Sequence, residues 1–415
     1  MNYGYSNRVI LHCDLNNFFA SVEAYHNPDL NNYPTAVCGS VDDRHGIVLA
    51  KNEKAKKYGV KTAEAIWQAK QKCPDLVCVP PHYDEYVKFS KAVRQIYYDY
   101  TDMVEPFGMD ECWLDVTGST MLFGSGEEIA HTIRKRVKEE IGLTISVGVS
   151  FNKVFAKLGS DLKKPDAVTV LSQGNFKEKI WHLPANSLIG IGPSTARALE
   201  RIGLRTIGEV ASCKPKTLEL EFGKCGLDLW RNTNGFDCSP VVDVSEQPMA
   251  KSYSKGLTPP KNLTNDGEIN ALFVSLAESI AHSMRQDGVM ARVVTISVRD
   301  ENLITIDRQK RLDNPTRLIE RLVGTAMELF RENWSWNKEV RSISIRVSDF
   351  VRENEFCQYS LFTDNAKEDK LEKLQKQVDD IRGKYGKNSI VRASAMNTVK
   401  HEEDKEIYNS FHPKF

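Results

Sequence analysis

The chain has 415 residues, with 56 Lys plus Arg against 56 Asp plus Glu and 41% hydrophobic residues. This is an ordinary globular composition, long enough for two to four domains at roughly 100–200 residues each. A net charge of zero leaves any nucleic-acid contact to local patches, and no apolar run approaches the roughly 18 residues of a membrane span. The opening MNYGYSNRVILHCD has too short an apolar run for a signal peptide. Nine cysteines, an odd number without a C-x-x-C pair, read as reduced thiols of a cytoplasmic protein rather than a zinc site or disulfide framework.

RVILHC (8–13) predicts a buried strand, and Phe18 to Tyr25 has helical spacing. PTAVCG (34–39) and GIVLA (46–50) predict short strands, 51–72 a helix broken near Gly59, LVCVP (76–80) a strand, and Tyr83 to Tyr100 a helix. Residues 103–107 and 111–116 are strand-like with a Gly between them. Glu127 to Ile141 predicts a helix, TISVGVS (144–150) a strand and Lys153 to Leu162 a helix. This mixture predicts one α/β or α+β domain over the first 170 residues or so. From Leu183 to about Phe236, short amphipathic pieces punctuated by Gly and Pro predict a helical region. Pro240, Pro248, Pro259 and Pro260 mark a loose connection. A unit with its own core follows: helix 269–286, strands 291–299 and 303–307, helix 315–334 and strand 340–348. The tail starts near Glu353 and holds QYSLF (358–362) and a charged helix over 366–384.

Three acidic residues stand out by their surroundings. Asp14 ends the apolar strand RVILHC, on a rigid element at the rim of the core. Asp110 and Glu111 sit between the turn PFGM and the strand CWLDV. Adjacent strand residues face opposite ways, so both reach one site only at a strand start or on a bulge. Carboxylates so placed suit Mg²⁺, which takes one or two of them plus substrate phosphates, and two such ions suit in-line attack on a phosphate. Spacing alone is a weak sign, because an Asp-Glu pair beside a turn is more often a solvated surface feature.

DLNNFFASVE (14–23), GMDECWLD (108–115) and SVGVSFNKVFAKLGSDLKKPDA (146–167) occur in that order. Together they resemble the Y-family DNA polymerases, the DinB or polymerase IV group most closely, over nearly the whole chain. The resemblance implies that Asp14, Asp110 and Glu111 are catalytic and hold two Mg²⁺ ions, with Mn²⁺ as an alternative, and that the Leu15 carbonyl completes one coordination shell. Phe19 matches the family's steric gate, a flat ring that leaves no room for a ribose 2′-hydroxyl; without the motif it reads equally well as a core aromatic. Lys164, in KKPDA, matches a lysine on the incoming triphosphate, and Lys56 a basic residue that also contacts phosphate. Asn17 and Phe18 could offer backbone N–H groups to phosphate at the helix start. NEKAKKYGVK (52–61) departs from the usual DinB pattern: Glu53 stands where most carry a triphosphate-binding Tyr, and the stretch looks more like the polymerase V catalytic subunit.

IGIGPSTARALERIG (189–203) resembles a helix-hairpin-helix. Gly190 and Gly192 would allow its tight turn, and the amides after it can hold a DNA phosphate without reading bases. Arg292, Arg299, Arg341 and Arg346 are candidates to face the DNA backbone. QYSLF resembles the bacterial sliding-clamp motif, with Gln358 at the pocket rim and Leu361 and Phe362 filling an apolar pocket.

The expected fold class is an α+β multidomain, right-hand polymerase. Its palm spans 1–172 with fingers inserted at about 31–79, a thumb follows over 173–238, an α/β little finger over 245–355, and a tail over 356–415. The implied activity is template-directed addition of dNTPs to a primer, of low fidelity, in translesion synthesis and without a proofreading exonuclease. The implied partners are primer-template DNA, dNTP and the sliding clamp, for a monomer that needs no membrane. A catalytically silent DNA-binding scaffold and a cyclase on a similar palm are the competing readings.

Overall fold

Six consecutive buried residues, Ile10–Leu15, form β1 at the centre of the first sheet. The structure is a computed structural model that describes residues 7–39, 46–243, 249–353, 365–386 and 389–393. The chain divides into two compact units that meet in sequence at Gln247 and Pro248.

In the first unit β1 leads to α1 (Phe18–His26), β2 (Thr35–Cys38), β3 (Val48–Lys51), α2 (Glu53–Lys57), α3 (Ile66–Lys72) and β4 (Val77–Val79). Then come α4 (Tyr83–Tyr98), β5 (Val104–Pro106), β6 (Glu111–Asp115), α5 (Thr120–Phe123), α6 (Gly126–Arg136), β7 (Ile145–Ser150), α7 (Lys153–Leu162) and β8 (Val168–Leu171). Strands β5-β6-β1-β7-β8 make a five-stranded sheet in which β1 runs antiparallel to both neighbours and β7 parallel to β8. Strands β3-β2-β4 make a separate small sheet, covered by a core of Ala36, Val48, Ala55, Val60, Ile66 and Ala69. The single broken helix expected over 51–72 is two helices, because Gly59 turns the chain at φ 77.

Gly148 sets the distance between β7 and α7. A Cβ there would lie 1.9 Å from the Ala156 carbonyl oxygen and 2.5 Å from Ser160 N. Only glycine lets the helix backbone come this close to the sheet. Asn152 starts the helix by accepting from the Phe155 N–H at 2.8 Å.

Helices α8 (Phe176–Ile180), α9 (Pro193–Arg201), α10 (Ile207–Ser212), α11 (Pro215–Phe222) and α12 (Lys224–Thr233) complete the unit. One apolar cluster runs from Phe151, Phe155 and Leu158 through Phe176 and Ile180 to Leu199, Val210, Leu218 and Leu229. The sheet and these helices therefore share a core.

The second unit holds β9 (Ser252–Leu257), α13 (Asp266–Gln286), β10 (Val289–Asp300), β11 (Thr305–Thr316), α14 (Ile319–Asn333), β12 (Val340–Arg352) and α15 (Asn365–Tyr385). Its sheet, β11-β10-β12-β9, is antiparallel throughout. Val294, Ile296 and Val298 on β10 and Ile343, Ile345 and Val347 on β12 pack against α13 and α14. Helix α15 is attached by ion pairs: Arg285 to Asp379 at 2.6 Å, Arg317 to Glu372, and Arg321 to Glu368 at 2.6 Å. The eight described cysteines are free thiols. No helix among the described residues is long and apolar enough to cross a membrane.

Candidate active site

Strands β1 and β6 pair with Asp14 directly opposite Glu111, so the two carboxylates are cross-strand neighbours on one face. Glu111 is the first residue of β6, and Asp110 lies in the bend before it. The adjacent acids thus escape strand alternation by sitting at a strand start. The Leu15 N–H donates to the Asp110 carbonyl at 2.9 Å, and the Phe107 N–H donates to the Glu111 carbonyl at 2.8 Å. From α4 the Ser90 hydroxyl donates to the Met109 carbonyl. The turn that presents Asp110 is therefore fixed from three sides.

Two lysines meet these acids. Lys157 Nζ lies 3.2 Å from Asp14 Oδ2 and 2.9 Å from Glu111 Oε1. Lys164 Nζ lies 2.8 Å from Asp14 Oδ2 and 2.8 Å from Asp161 Oδ1. Beneath them His12, wholly buried, places Nε2 3.3 Å from Glu111 Oε2 and Nδ1 2.8 Å from Ser160 Oγ. Burial, then the charges of Asp14 and Glu111, push the Asp110 carboxyl up to about 7. Asp14 is also raised, by burial first, although Lys164 pulls the other way. Burial resists ionisation of Glu111 as well, but the His12 contact and the Lys157 charge outweigh it and hold the group at about 2.

The loop carrying Lys164 is bolted down by Asn16, a residue 5% exposed. Its side-chain oxygen accepts from the Asp166 N–H at 2.8 Å, and its amide donates to Ser146 Oγ at 2.9 Å. Arg134 and Lys138 each hold the Asp166 carboxylate at 2.9 Å.

Helix α1 follows directly. Asn17 precedes it at φ 51, and no side chain caps its first turn. Phe18 is buried and belongs to the core, whereas Phe19 is half-buried. The Phe19 ring stacks on Tyr86 with centroids 4.1 Å apart and planes 10° apart. Lys56 comes to this region through Glu53: its ammonium lies 2.7 Å from Glu53 Oε1, which also accepts from the Asn17 amide at 3.0 Å. Asp14, Glu111 and Lys164 thus meet, Asp110 is near enough for the charges of Asp14 and Glu111 to act on its carboxyl, Phe19 packs against α4, and Lys56 is tied through Glu53 to Asn17.

Lys157, His12 and Asn16 escaped the sequence reading. A usable signal existed for Lys157: it interrupts the apolar run VFAKLG, and a lysine so flanked on a helix must find a buried partner.

Farther along, Gly190 adopts φ 89 in the turn before α9, while Gly192 is extended and precedes Pro193 at the helix start. Only the first of these glycines needs the left-handed conformation. On the second unit's sheet, Arg299 and Arg346 share the face turned away from α13 and α14, and Arg341 is the residue skipped where the register of β10 and β12 shifts. Gln358, Leu361 and Phe362 lie outside the described residues.

The donor set fits hard divalent cations. Asp14, Asp110 and Glu111 offer only carboxylate oxygens, and burial, then the charges of Asp14 and Glu111, raise the Asp110 carboxyl. Among the described residues no three His, Cys, Asp or Glu side chains are gathered closely enough to hold a metal ion by themselves. Lys157 and Lys164 occupy the oxygens of Asp14 and Glu111 instead. Mg²⁺ commonly takes only one or two carboxylates and fills the rest of its shell with substrate phosphates.

Residues 13–161 match the impB/mucB/samB family, and residues 250–361 match the C-terminal domain of that family. The DNA polymerase IV of Acetivibrio thermocellus is 50% identical over 93% of this chain and 96% of its own length. The chain belongs to the Y-family DNA polymerases, in the DNA polymerase IV group. DNA polymerase IV 1 of Bacillus subtilis is 35% identical over 98% of this chain and 97% of its own. The solved Y-family DNA polymerase chimera Dbh-Dpo4(243-245)-Dbh superposes with a TM-score of 0.72 at 26% identity, covering 83% of this chain and 99% of that one. The α+β multidomain class expected from the sequence agrees with this likeness. Polymerases of this family are nucleotidyltransferases that generally depend on metal ions, which accords with the carboxylate centre.

Proposed function

We propose that this polymerase IV family member adds dNTPs to a primer 3′ end under the direction of a DNA template, with low fidelity and in translesion synthesis. The observation that carries the reading is the carboxylate centre: Asp14 opposite Glu111 across β1 and β6, with Asp110 in the bend just before the strand and close enough for both charges to raise its carboxyl. Two Mg²⁺ ions, or Mn²⁺ in their place, held by Asp14, Asp110, Glu111 and the Leu15 carbonyl, would neutralise charge on the triphosphate and make the primer hydroxyl more acidic. Lys164 and Lys56 bind the triphosphate, and the backbone N–H groups of Asn17 and Phe18 approach it at the uncapped start of α1. Phe19 excludes the ribose 2′-hydroxyl. The turn at Gly190 and Gly192 takes a DNA phosphate, so binding weakens steeply with salt. Gln358, Leu361 and Phe362 dock on the bacterial sliding clamp. The protein acts as a monomer in the cytoplasm. A scaffold without catalysis finds little support, because it has no use for three acids gathered at the edge of a core.

Primer extension on an undamaged template with dNTPs and with rNTPs, for wild type and Phe19→Ala, tests the sugar gate. Wild type should extend with dNTPs only, and Phe19→Ala should accept rNTPs at least ~100-fold better than wild type, the discrimination a pocket can base on a single hydroxyl. Equal rNTP exclusion by both proteins would remove Phe19 from that role.

A further inference from the structure

Behind Phe19 lies a buried carboxylate that the chemistry above does not use. Phe19 and Glu23 are one turn apart on α1 and face the same way. Both meet α4, where Tyr83 and Tyr86 stand three residues apart. Tyr86 is fully buried and stacks flat on Phe19, while Tyr83 meets the Phe19 ring edge-on at 5.7 Å and 81°. The Tyr86 hydroxyl donates to Glu23 Oε1. Glu23 is 7% exposed, and His82 Nδ1 lies 3.0 Å from both of its oxygens. We propose that Glu23 is a positioning residue for sugar selection, acting through the Tyr86 hydroxyl to hold the ring that backs Phe19.

A seam between two helices packs well with apolar side chains alone, and a carboxyl group buried there costs stability unless its oxygens are hydrogen-bonded. What the bond from Tyr86 adds is direction. A ring anchored only at its Cα can tilt about its side-chain torsions; a ring anchored also at its para hydroxyl cannot. Burial and the Glu23 contact raise the Tyr86 pKa, so the hydroxyl stays protonated and able to donate. A steric gate discriminates only if it does not yield when a 2′-hydroxyl presses on it. Stiffness of the backing ring therefore translates into selectivity, while Glu23 and Tyr86 stand behind Phe19.

This inference rests on the reading of Phe19 as the gate. The test compares kcat/KM for one rNTP and the matching dNTP in wild type, Tyr86→Phe, Glu23→Leu, Glu23→Gln and Phe19→Ala. Tyr86→Phe keeps the stacked ring and loses only the tether. Glu23→Gln keeps an acceptor for the hydroxyl. The rNTP-to-dNTP ratio is measured on one preparation, so a reduced folded fraction cancels, and a merely structural role would leave the ratio alone. We expect Tyr86→Phe and Glu23→Leu each to raise the ratio about 5-fold, the weight of one ordinary hydrogen bond, with Glu23→Gln restored toward wild type. If Glu23→Leu does not fold, Tyr86→Phe against Glu23→Gln carries the comparison. An unchanged ratio in Tyr86→Phe, beside an opened Phe19→Ala, would overturn the positioning role and leave the gate standing. An unchanged ratio in Phe19→Ala would bring down the gate and the positioning role with it.

Discussion

Asp110 shows how a residue can be placed at the expense of stability. Its carboxyl is pushed to about 7 in the folded chain, against about 3.9 when unfolded. Between these values the folded state binds more protons than the unfolded one, so stability falls as pH rises from about 4 to about 7 and levels off above. Asp110→Asn removes that penalty. Without divalent cations, the variant should melt a few degrees above wild type at pH 8, on the order of 1–2 kcal/mol, with the gap closing toward pH 4. Thermal unfolding at both pH values checks this; a variant less stable than wild type at pH 8 would contradict it. The acids themselves were legible because three motifs stood in order, but their meeting was not. Whether Asp110 and Glu111 could face one site depended on the strand starting at Glu111, which cross-strand register decides. His12 was illegible for a related reason: a histidine in the strand ILHCDL looks like core until Glu111, diagonal to it past the facing Trp113, is known to reach it.

At the scale of elements, apolar patterning located most of the buried pieces and missed or cut short the polar edge strands β9 and β11. Helix α7 and strands β6 and β7 fall within a residue of expectation. Strand β11 was expected over 303–307 but runs Thr305–Thr316, since DRQKRLDNP lies at a sheet edge and shows no apolar alternation. Strands β8 and β9 went unread; β9, SYSKGL, is short and mostly polar. The close pairing of α7 on β7 makes its own prediction. Gly148→Ala places a methyl 1.9 Å from the Ala156 carbonyl oxygen and must push α7 outward. Denaturant unfolding should register a loss of about 2–3 kcal/mol, and primer extension should fall as well, since α7 carries Lys157 to Asp14 and Glu111. Wild-type stability in this variant would show that the helix can retreat without cost.

Across the whole molecule, the two units have separate cores. The second should therefore fold alone. A protein spanning residues 249–393 is expected to melt cooperatively by circular dichroism, and loss of a transition would tie its stability to the rest of the chain. Within it, α15 is attached through Arg285, Arg317 and Arg321 to Asp379, Glu372 and Glu368. Its most exposed pairs should weaken with salt. The core of this unit was foreseeable from helix and strand periodicity; the charged tail helix was foreseeable as a helix that could dock on the protein or on a partner, but which of the two was not, because amphipathic patterning looks for an apolar seam.

Asp110, Glu111 and Asp14 are proposed to carry template-directed synthesis. Single-turnover primer extension with dNTPs and Mg²⁺ by Asp110→Asn, at enzyme concentrations that saturate the DNA, tests it most directly. The expected result is wild-type affinity for primer-template and extension at least ~1,000-fold slower, the scale on which transition-state charge stabilisation is lost. Extension within a few-fold of wild type would contradict it and move the chemistry away from β1 and β6.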